Sequence, residues 1–576
     1  MTMGGVDEGR LARKFWIKFK NESVFIMYSP FFVSLASGTL NSDTFLNCVS
    51  QDVHFLKAFA HSYELAEECA DDEEDKCAIR KLRKRVKHKL KTLDKLVSHD
   101  SECAIVYILK ESLLQEWGFE LPEECITNNA TLKYTDFLLA TASGKVEGEK
   151  VLGKIETPFE KTKVAAYTIG AISPCLRLFA FITKEIQPLL DPNDSSHVYK
   201  KWVEYYCSEN FEELTVQTEE LLDKLSVSLT GEELDVIEKL YHQAMKLEVD
   251  FYSAQPMVQP TVIPLSWVKD PVEGQLTIFC DFDLTCTAFD SSAILAEIAI
   301  VRSQKADPDQ SESKLTRMSS ADLRNTWGVL STKYTEEYEL CIDSILPSEA
   351  VGKFDYKGLC EALKQLAEFE RKANSRVVES GVLKGLNLED IKRTGQLLML
   401  QDGCRGFFQK IVKFENYKTD VHVLSYCWCG DLIRSAFSSG DLNVLKVHSN
   451  ELVYEESIST GDIVKNLESP LEKRQIFNDI VTDRSNNEQN LTVYIGGSPA
   501  DLLCLLEADI GIVFGSSSSL RRLGEQFGVS FVPLFSGLVE KQKELTNGGS
   551  FTWKRMSGTL YTVSSWAEIQ AFIVGS

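Results

Sequence analysis

The stretch Leu276-Thr-Ile-Phe-Cys-Asp281-Phe-Asp283-Leu-Thr285-Cys-Thr287 carries an apolar segment straight into two carboxylates two residues apart. Residues i and i+2 of an extended chain point the same way, so Asp281 and Asp283 converge on one ligand just past a strand end. In an open α/β sheet that carboxyl edge is where ligands bind. Two acids so placed suit phosphoryl transfer. One attacks phosphorus, and the other gives a proton to the leaving oxygen and later takes one from water. Both would repel an anionic phosphate, so a divalent cation is implied.

Asp-x-Asp by itself also occurs in turns and solvated loops. The longer pattern Asp-x-Asp-x-Thr-x-Thr behind an apolar strand resembles the first motif of the haloacid-dehalogenase-like hydrolases. Three further stretches follow in that family's order: Val421-His-Val-Leu-Ser425, Ser469-Pro-Leu-Glu-Lys473-Arg474, and Leu491-Thr-Val-Tyr-Ile-Gly496-Gly497-Ser498-Pro-Ala-Asp501. The resemblance implies Asp281 as nucleophile and Asp283 as acid and base. It implies phosphate binding by Ser425 and Lys473, with Arg474 competing for the latter role, and Mg²⁺ held by Asp281, Asp283 and Asp501. One departure matters, because Gly497 stands where relatives carry a metal-ligating acid. Either Asp501, waters and phosphate complete the octahedron, or metal affinity and rate fall. Residues 291–414 between the first two strands read as helical and resemble the cap many of these hydrolases place over the site. Trp327, Tyr334 and Tyr338 within it either stack on an aromatic substrate or serve helix packing.

Upstream, residues 14–252 show apolar spacing at three and four residues with little alternation, which predicts helices almost throughout. The prolines there, Pro30, Pro122, Pro158, Pro174, Pro188 and Pro192, are expected at helix ends and connections. The basic run Lys81–Lys91, with Ile79, Leu82, Val86, Leu90 and Leu93 at helical spacing, predicts an amphipathic helix whose charged face meets solvent. Five stretches stand out: Gln51-Asp52-Val-His-Phe55, Leu132-Lys-Tyr134, Ser173-Pro-Cys175-Leu-Arg-Leu-Phe179, Lys201-Trp-Val-Glu-Tyr205 and Met245-Lys-Leu-Glu248. Each is compatible with ordinary core packing. In this order they resemble the TenA/thiaminase II family, an all-helical fold. That resemblance implies an aromatic pocket for an aminopyrimidine. Asp52 would bond the ring amine, Tyr134 and Tyr205 would line the pocket, Cys175 would be the nucleophile and Glu248 its acid/base partner. Phe55 and Phe179 replace tyrosines common in relatives, which removes hydroxyls near Cys175.

The expected architecture is therefore multidomain. An all-α TenA-like bundle over 1–252 is followed by a connector over 253–272, where Pro256, Pro260 and Pro264 interrupt any periodicity. An α/β Rossmann-like haloacid-dehalogenase domain with an inserted α-helical cap then occupies 273–576. Net charge of -23 over 576 residues argues against nucleic acid or an anionic membrane as partner. No uninterrupted apolar run approaches the roughly 20 residues of a membrane span. Fifteen scattered cysteines without Cys-x-x-Cys read as reduced thiols, and eight histidines show no zinc pattern. The opening residues lack signal- or transit-peptide character, so a cytoplasmic location is expected, a mitochondrial one requiring a longer precursor.

The order of the two halves resembles the bifunctional thiamin phosphate phosphatases of plants. What that implies is hydrolysis of thiamin monophosphate by the second half and binding or salvage of aminopyrimidines by the first. Self-association through the helical half, as in many TenA-like folds, is also implied. Two other readings stay open: a phosphatase for another ester such as a pyrimidine nucleotide, and a pyrimidine-binding protein whose phosphatase half is impaired at Gly497.

Overall fold

Strand β1 (Gln275–Cys280) is buried along nearly its whole length, as expected of a parallel strand covered on both faces. The computed structural model describes residues 10–97, 126–146, 158–191, 197–268, 275–305, 318–348, 351–413, 418–438, 442, 445–482, 490–546, 548 and 553–576. Pro122, Pro192 and residues 269–272 of the expected connector lie outside them. The chain divides into two units between Pro264 and Leu265, with Leu538–Ser550 and Gly575–Ser576 grouped with the first.

The second unit is an α/β layer structure. After β1 come β2 (Lys418–Leu424), β3 (Lys446–His448), β4 (Glu451–Glu455), β5 (Ile458–Val464), β6 (Asn490–Gly496), β7 (Ile510–Phe514), β8 (Ser530–Pro533) and β9 (Thr559–Val563). Seven of them form one parallel sheet in the order β3-β2-β1-β6-β7-β9-β8, and β4 and β5 pair as a separate antiparallel hairpin. The chain leaves β1 toward β2 on one side and returns to β6 on the other. That reversal makes the carboxyl ends of β1 and β6 the topological switch point, where a crevice opens. Five helices lie between β1 and β2: Ser291–Lys305, Ser320–Ile345, Tyr356–Ser380, Leu388–Gln396 and Cys404–Val412. Below the crevice Phe279, Phe477 and Tyr494 pack edge-on and stacked within the core. The expected Rossmann-like sheet with an inserted helical cap is the fold observed.

The first unit is helical throughout its described residues, with Ser42–Cys69, Glu73–Val97, Asn129–Ala142, Pro158–Ile186, Glu209–Ser226 and Gly231–Ser253 as its long members. The window of the Pro158–Ile186 helix apolar enough to span a bilayer is 89% buried, so that window is a core helix of this fold. Pro174 corrects an expectation, since it sits inside this helix and not at an end. A helical proline leaves the carbonyl four residues back without its donor. Here that carbonyl belongs to Gly170, and the Ser173 hydroxyl donates to it at 3.4 Å. The relief comes from the residue just before Pro174, and the nucleophile candidate Cys175 sits one residue past this local break in the ladder. Gly170 also sets how closely this helix meets Gly231–Ser253, because a Cβ there would lie 2.7 Å from Ile237 Cγ2. Ile237 is β-branched and fully buried, so it has little room to yield. Gly170→Ala is therefore expected to destabilise the helical unit by about 1–3 kcal/mol despite alanine's better helix propensity, seen as a lower denaturant midpoint at unchanged m-value.

Candidate functional site

At the carboxyl edge of the sheet, the Asp281 amide donates to the Ile495 carbonyl at 2.9 Å, extending the β1–β6 ladder by one residue. This fixes the Asp281 backbone at the crevice. Lys473, three residues into the helix Pro470–Thr482, reaches the same point from below. Its ammonium donates to Asp281 Oδ1 at 2.8 Å and Asp501 Oδ1 at 2.7 Å, with the lysine only 1% exposed. Burial works to lower its proton affinity, but the two flanking carboxylates outweigh that and raise it above the ordinary value. Arg474 pairs instead with Glu507 at 2.6 Å, so the lysine is the cation that enters the site.

Asp283 accepts from the Ser291 amide at 2.6 Å, from the Ser291 hydroxyl at 3.0 Å and from the Ser425 hydroxyl at 3.4 Å. Ser425, fully buried just past β2, in turn accepts from the Cys427 amide at 3.0 Å. Asp281, Asp283 and Lys473 thus line one hollow, with Ser425 bonded to Asp283 and Asp501 to Lys473 behind them. Above it lies a cavity of about 290 Å³ whose walls include Trp327, Tyr334, Tyr338, Glu370, Tyr426 and Trp428. The three aromatics singled out in the sequence all face this cavity. Glu370, Tyr426 and Trp428 were not singled out.

Asp501 corrects its expected role as a metal ligand. Its carboxylate accepts from Lys473, from the Tyr494 hydroxyl at 2.9 Å, from the Gly497 and Ser498 amides at 3.2 and 3.0 Å, and from the Ser498 hydroxyl at 2.7 Å. Five donors use its acceptor capacity, so it anchors Lys473 and the turn after β6. Gly497 offers no side chain, and a Cβ there would lie 2.8 Å from the Phe514 carbonyl oxygen, so the missing acid does not fit without backbone movement. Among the described residues no group of three or more His, Cys, Asp or Glu converges as a metal cluster. The remaining donors still suit a hard cation. Burial, then Asp501, pushes Asp281 up to about 7 against the pull of Lys473. Burial, then Asp290 and Asp281, pushes Asp283 up to about 8. A divalent ion would favour the ionised forms that burial and crowding disfavour here, and Mg²⁺ commonly takes only one or two carboxylates plus water and phosphate oxygens.

In the helical unit a cavity of about 570 Å³ is lined by Asp52, Phe55, Lys89, Cys175, Phe179 and Tyr206 among others. Phe179 and Tyr206 stack at 4.7 Å and 19°, a flat apolar platform. Tyr205 stands at the rim, 45% exposed, while its neighbour Tyr206 is the buried ring. Tyr134 and Glu248 lie deeper, the phenol donating to Glu248 Oε1 at 2.8 Å and Cys175 hydrogen-bonding to the same carboxyl. Burial, then Glu248, holds the Cys175 thiol well above its usual value, so the expected nucleophile is a protonated thiol beside its acid/base partner. The expectation that the basic helix turns its charge outward also needs correction at one residue. Lys89 points inward, donating to Asp52 Oδ2 at 3.1 Å and to the Tyr206 hydroxyl at 2.5 Å.

Comparison with known proteins bears on both units. The TENA/THI-4/PQQC family profile matches residues 159–257. The whole chain is 59% identical over 579 residues to a bifunctional TH2 protein of Arabidopsis thaliana, covering 91% of that protein. It is 33% identical over 89 residues to an aminopyrimidine aminohydrolase of Staphylococcus saprophyticus, covering 16% of this chain and 38% of that one. A solved phosphoserine phosphatase, a phospho-aspartyl intermediate analogue, aligns at 18% identity with a TM-score of 0.27, covering 44% of this chain and 91% of its own. The Arabidopsis protein is mitochondrial by name, which overturns the expectation of a cytoplasmic location.

Burial pushes Glu248 up to about 7 from its ordinary 4.5. Because the folded value is the higher one, the stabilisation is complete below about 4.5 and is lost as pH rises through about 7. Glu248→Gln, which keeps an acceptor for Tyr134, is expected to gain on the parent by on the order of 2–3 kcal/mol between about pH 4 and about pH 8 in chemical denaturation.

Proposed function

Because this chain belongs to the family of bifunctional TH2 proteins, we propose that its second unit is a Mg²⁺-dependent phosphatase that hydrolyses thiamin monophosphate to thiamin and phosphate. Its first unit binds or hydrolyses thiamin-derived aminopyrimidines. The observation that carries the phosphatase reading is the buried Asp281–Lys473–Asp501 bridge beneath a capped cavity, with Asp283 and Ser425 beside it.

In this mechanism Asp281 and Asp283 would hold Mg²⁺, which would supply positive charge against the phosphate. Lys473 fixes one Asp281 oxygen and adds a second positive charge. Asp281 attacks phosphorus as the bond to the alcohol oxygen breaks, and Asp283 gives that oxygen its proton. The aspartyl phosphate is then cleaved by water, whose proton returns to Asp283, restoring Asp281. The cap helices exclude bulk water during both steps. In the helical unit, Cys175 adds to an electron-poor ring carbon as its proton passes to Glu248 and a C=N electron pair moves onto the ring nitrogen; the amine leaves with the proton from Glu248, and water then displaces Cys175 as the thiol. Gly497 favours a second reading, in which weak metal retention leaves the first unit's pyrimidine binding as the main role.

Asp281→Asn is expected to abolish phosphate release from thiamin monophosphate while leaving the circular dichroism spectrum unchanged; residual turnover near the parent rate would refute the nucleophile. Chelation should stop release in the parent and added Mg²⁺ should restore it. Release from no ester at any Mg²⁺ concentration would instead favour the binding-protein reading.

A further inference from the structure

Glu370 is the acid in the cap that the mechanism does not use. It lies on the helix Tyr356–Ser380 on the face that also presents Leu366, Ala373, Asn374 and Val377 to the cavity, and it is 9% exposed. Its Oε1 accepts from the Tyr334 hydroxyl at 2.9 Å. No Lys, Arg or His among the described residues pairs with it, whereas nearby Arg376 is bonded to Glu337 at 2.5 Å. Burying a carboxylate without a counter-charge is costly, and such a group signals a missing cation unless it stays protonated.

The surroundings repeat that signal independently. Tyr334 and Tyr338 stack at 5.7 Å and 20°, and Trp327 meets Trp428 edge-on at 6.0 Å. Trp428 is held in place by its indole N–H donating to Asn374 Oδ1 at 3.0 Å. The cavity also counts four acids, Asp281, Asp283, Asp290 and Glu370, against Lys473 and Arg376 as its only Lys or Arg. Lys473 is committed to the phosphate end. An aromatic wall with an uncompensated carboxylate is the arrangement that recognises organic cations.

We infer that Glu370, with Trp327, Tyr334, Tyr338 and Trp428 around it, forms a subsite for a positively charged ring or quaternary nitrogen in the alcohol half of the ester, selecting cationic over neutral phosphate esters. The inference rests on the phosphatase reading of the same cavity and deepens it. A pyrimidine nucleotide, whose base is uncharged, offers Glu370 nothing, so the subsite separates thiamin monophosphate from that rival substrate by charge.

The test compares the full-length protein with Glu370→Gln, which keeps shape and the bond from Tyr334, on thiamin monophosphate, phosphocholine and p-nitrophenyl phosphate. The ratio of kcat/KM for each cationic ester to that for the neutral one is expected to fall about tenfold or more, through KM, with Glu370→Asp recovering part of it. Parallel losses on all three esters, or none, would overturn the subsite. Phosphocholine selectivity without thiamin monophosphate turnover would keep the subsite and sink the substrate. Should no ester release phosphate, the hydrolase reading fails, and calorimetric titration with thiamin decides the subsite: a binding event lost in Glu370→Gln supports it, and identical isotherms overturn it.

Discussion

A buried ammonium held between two carboxylates is the constraint on which the second unit depends. None of Lys473, Asp281 and Asp501 could be taken out of water alone without a penalty of several kcal/mol. Together they satisfy one another, while Tyr494 shares Asp501 Oδ1 with Lys473 and the turn at Gly497 and Ser498 closes off Oδ2. Asp281 and Lys473 are 192 residues apart, with the whole cap between them. The bridge therefore forms only when β1, the Pro470–Thr482 helix and the β6 turn have converged. Assembly of the sheet and assembly of the site are one event.

Burial serves the two units in the same chemical way. Glu248 in the helical bundle, and Asp281 and Glu370 beneath and within the cap, are each lifted to about 7, and Asp283 to about 8. Carboxyl groups ordinarily ionised in water are thereby brought into the range where they give and take protons at neutral pH. The causes differ in detail. Desolvation leads in all four, but neighbouring acids add to it most plainly at the sheet edge, where the negative groups crowd.

Much of this was legible from residue type and order. The apolar run into Asp281 and Asp283 located the central strand and its functional end, and the helical spacing between residues 291 and 414 located the cap. Orientation was not legible. Tyr205 and Tyr206 are neighbours on a helix, about 100° apart, and only the packing of Phe179 decides which one is inside. Asp501 is an acid at the expected place, yet the donors that surround it turn it from the cavity toward Lys473. Glu370 and Trp428 had no sequence signal, and Lys89 lay in a basic run that reads as solvent-facing, because each acquires its meaning from partners brought near only by folding. Pro174 looked like a helix end since its cure, the Ser173 hydroxyl on the Gly170 carbonyl, is a side-chain device invisible to periodicity.

The ammonium of Lys89 against Asp52 has a consequence for what the helical cavity admits. A flat guest lying on Phe179 and Tyr206 would gain stacking whatever its edge chemistry, and an open Asp52 would welcome any weak proton donor. With Oδ2 already bonded to Lys89, a guest reaching that oxygen would have to trade for the contact. Plain hydrocarbons have nothing to exchange, whereas an exocyclic amine can replace the lysine's hydrogen bond in kind. On the proposed pyrimidine-binding role, selection in this cavity would rest on the bond a guest offers in exchange for that of Lys89.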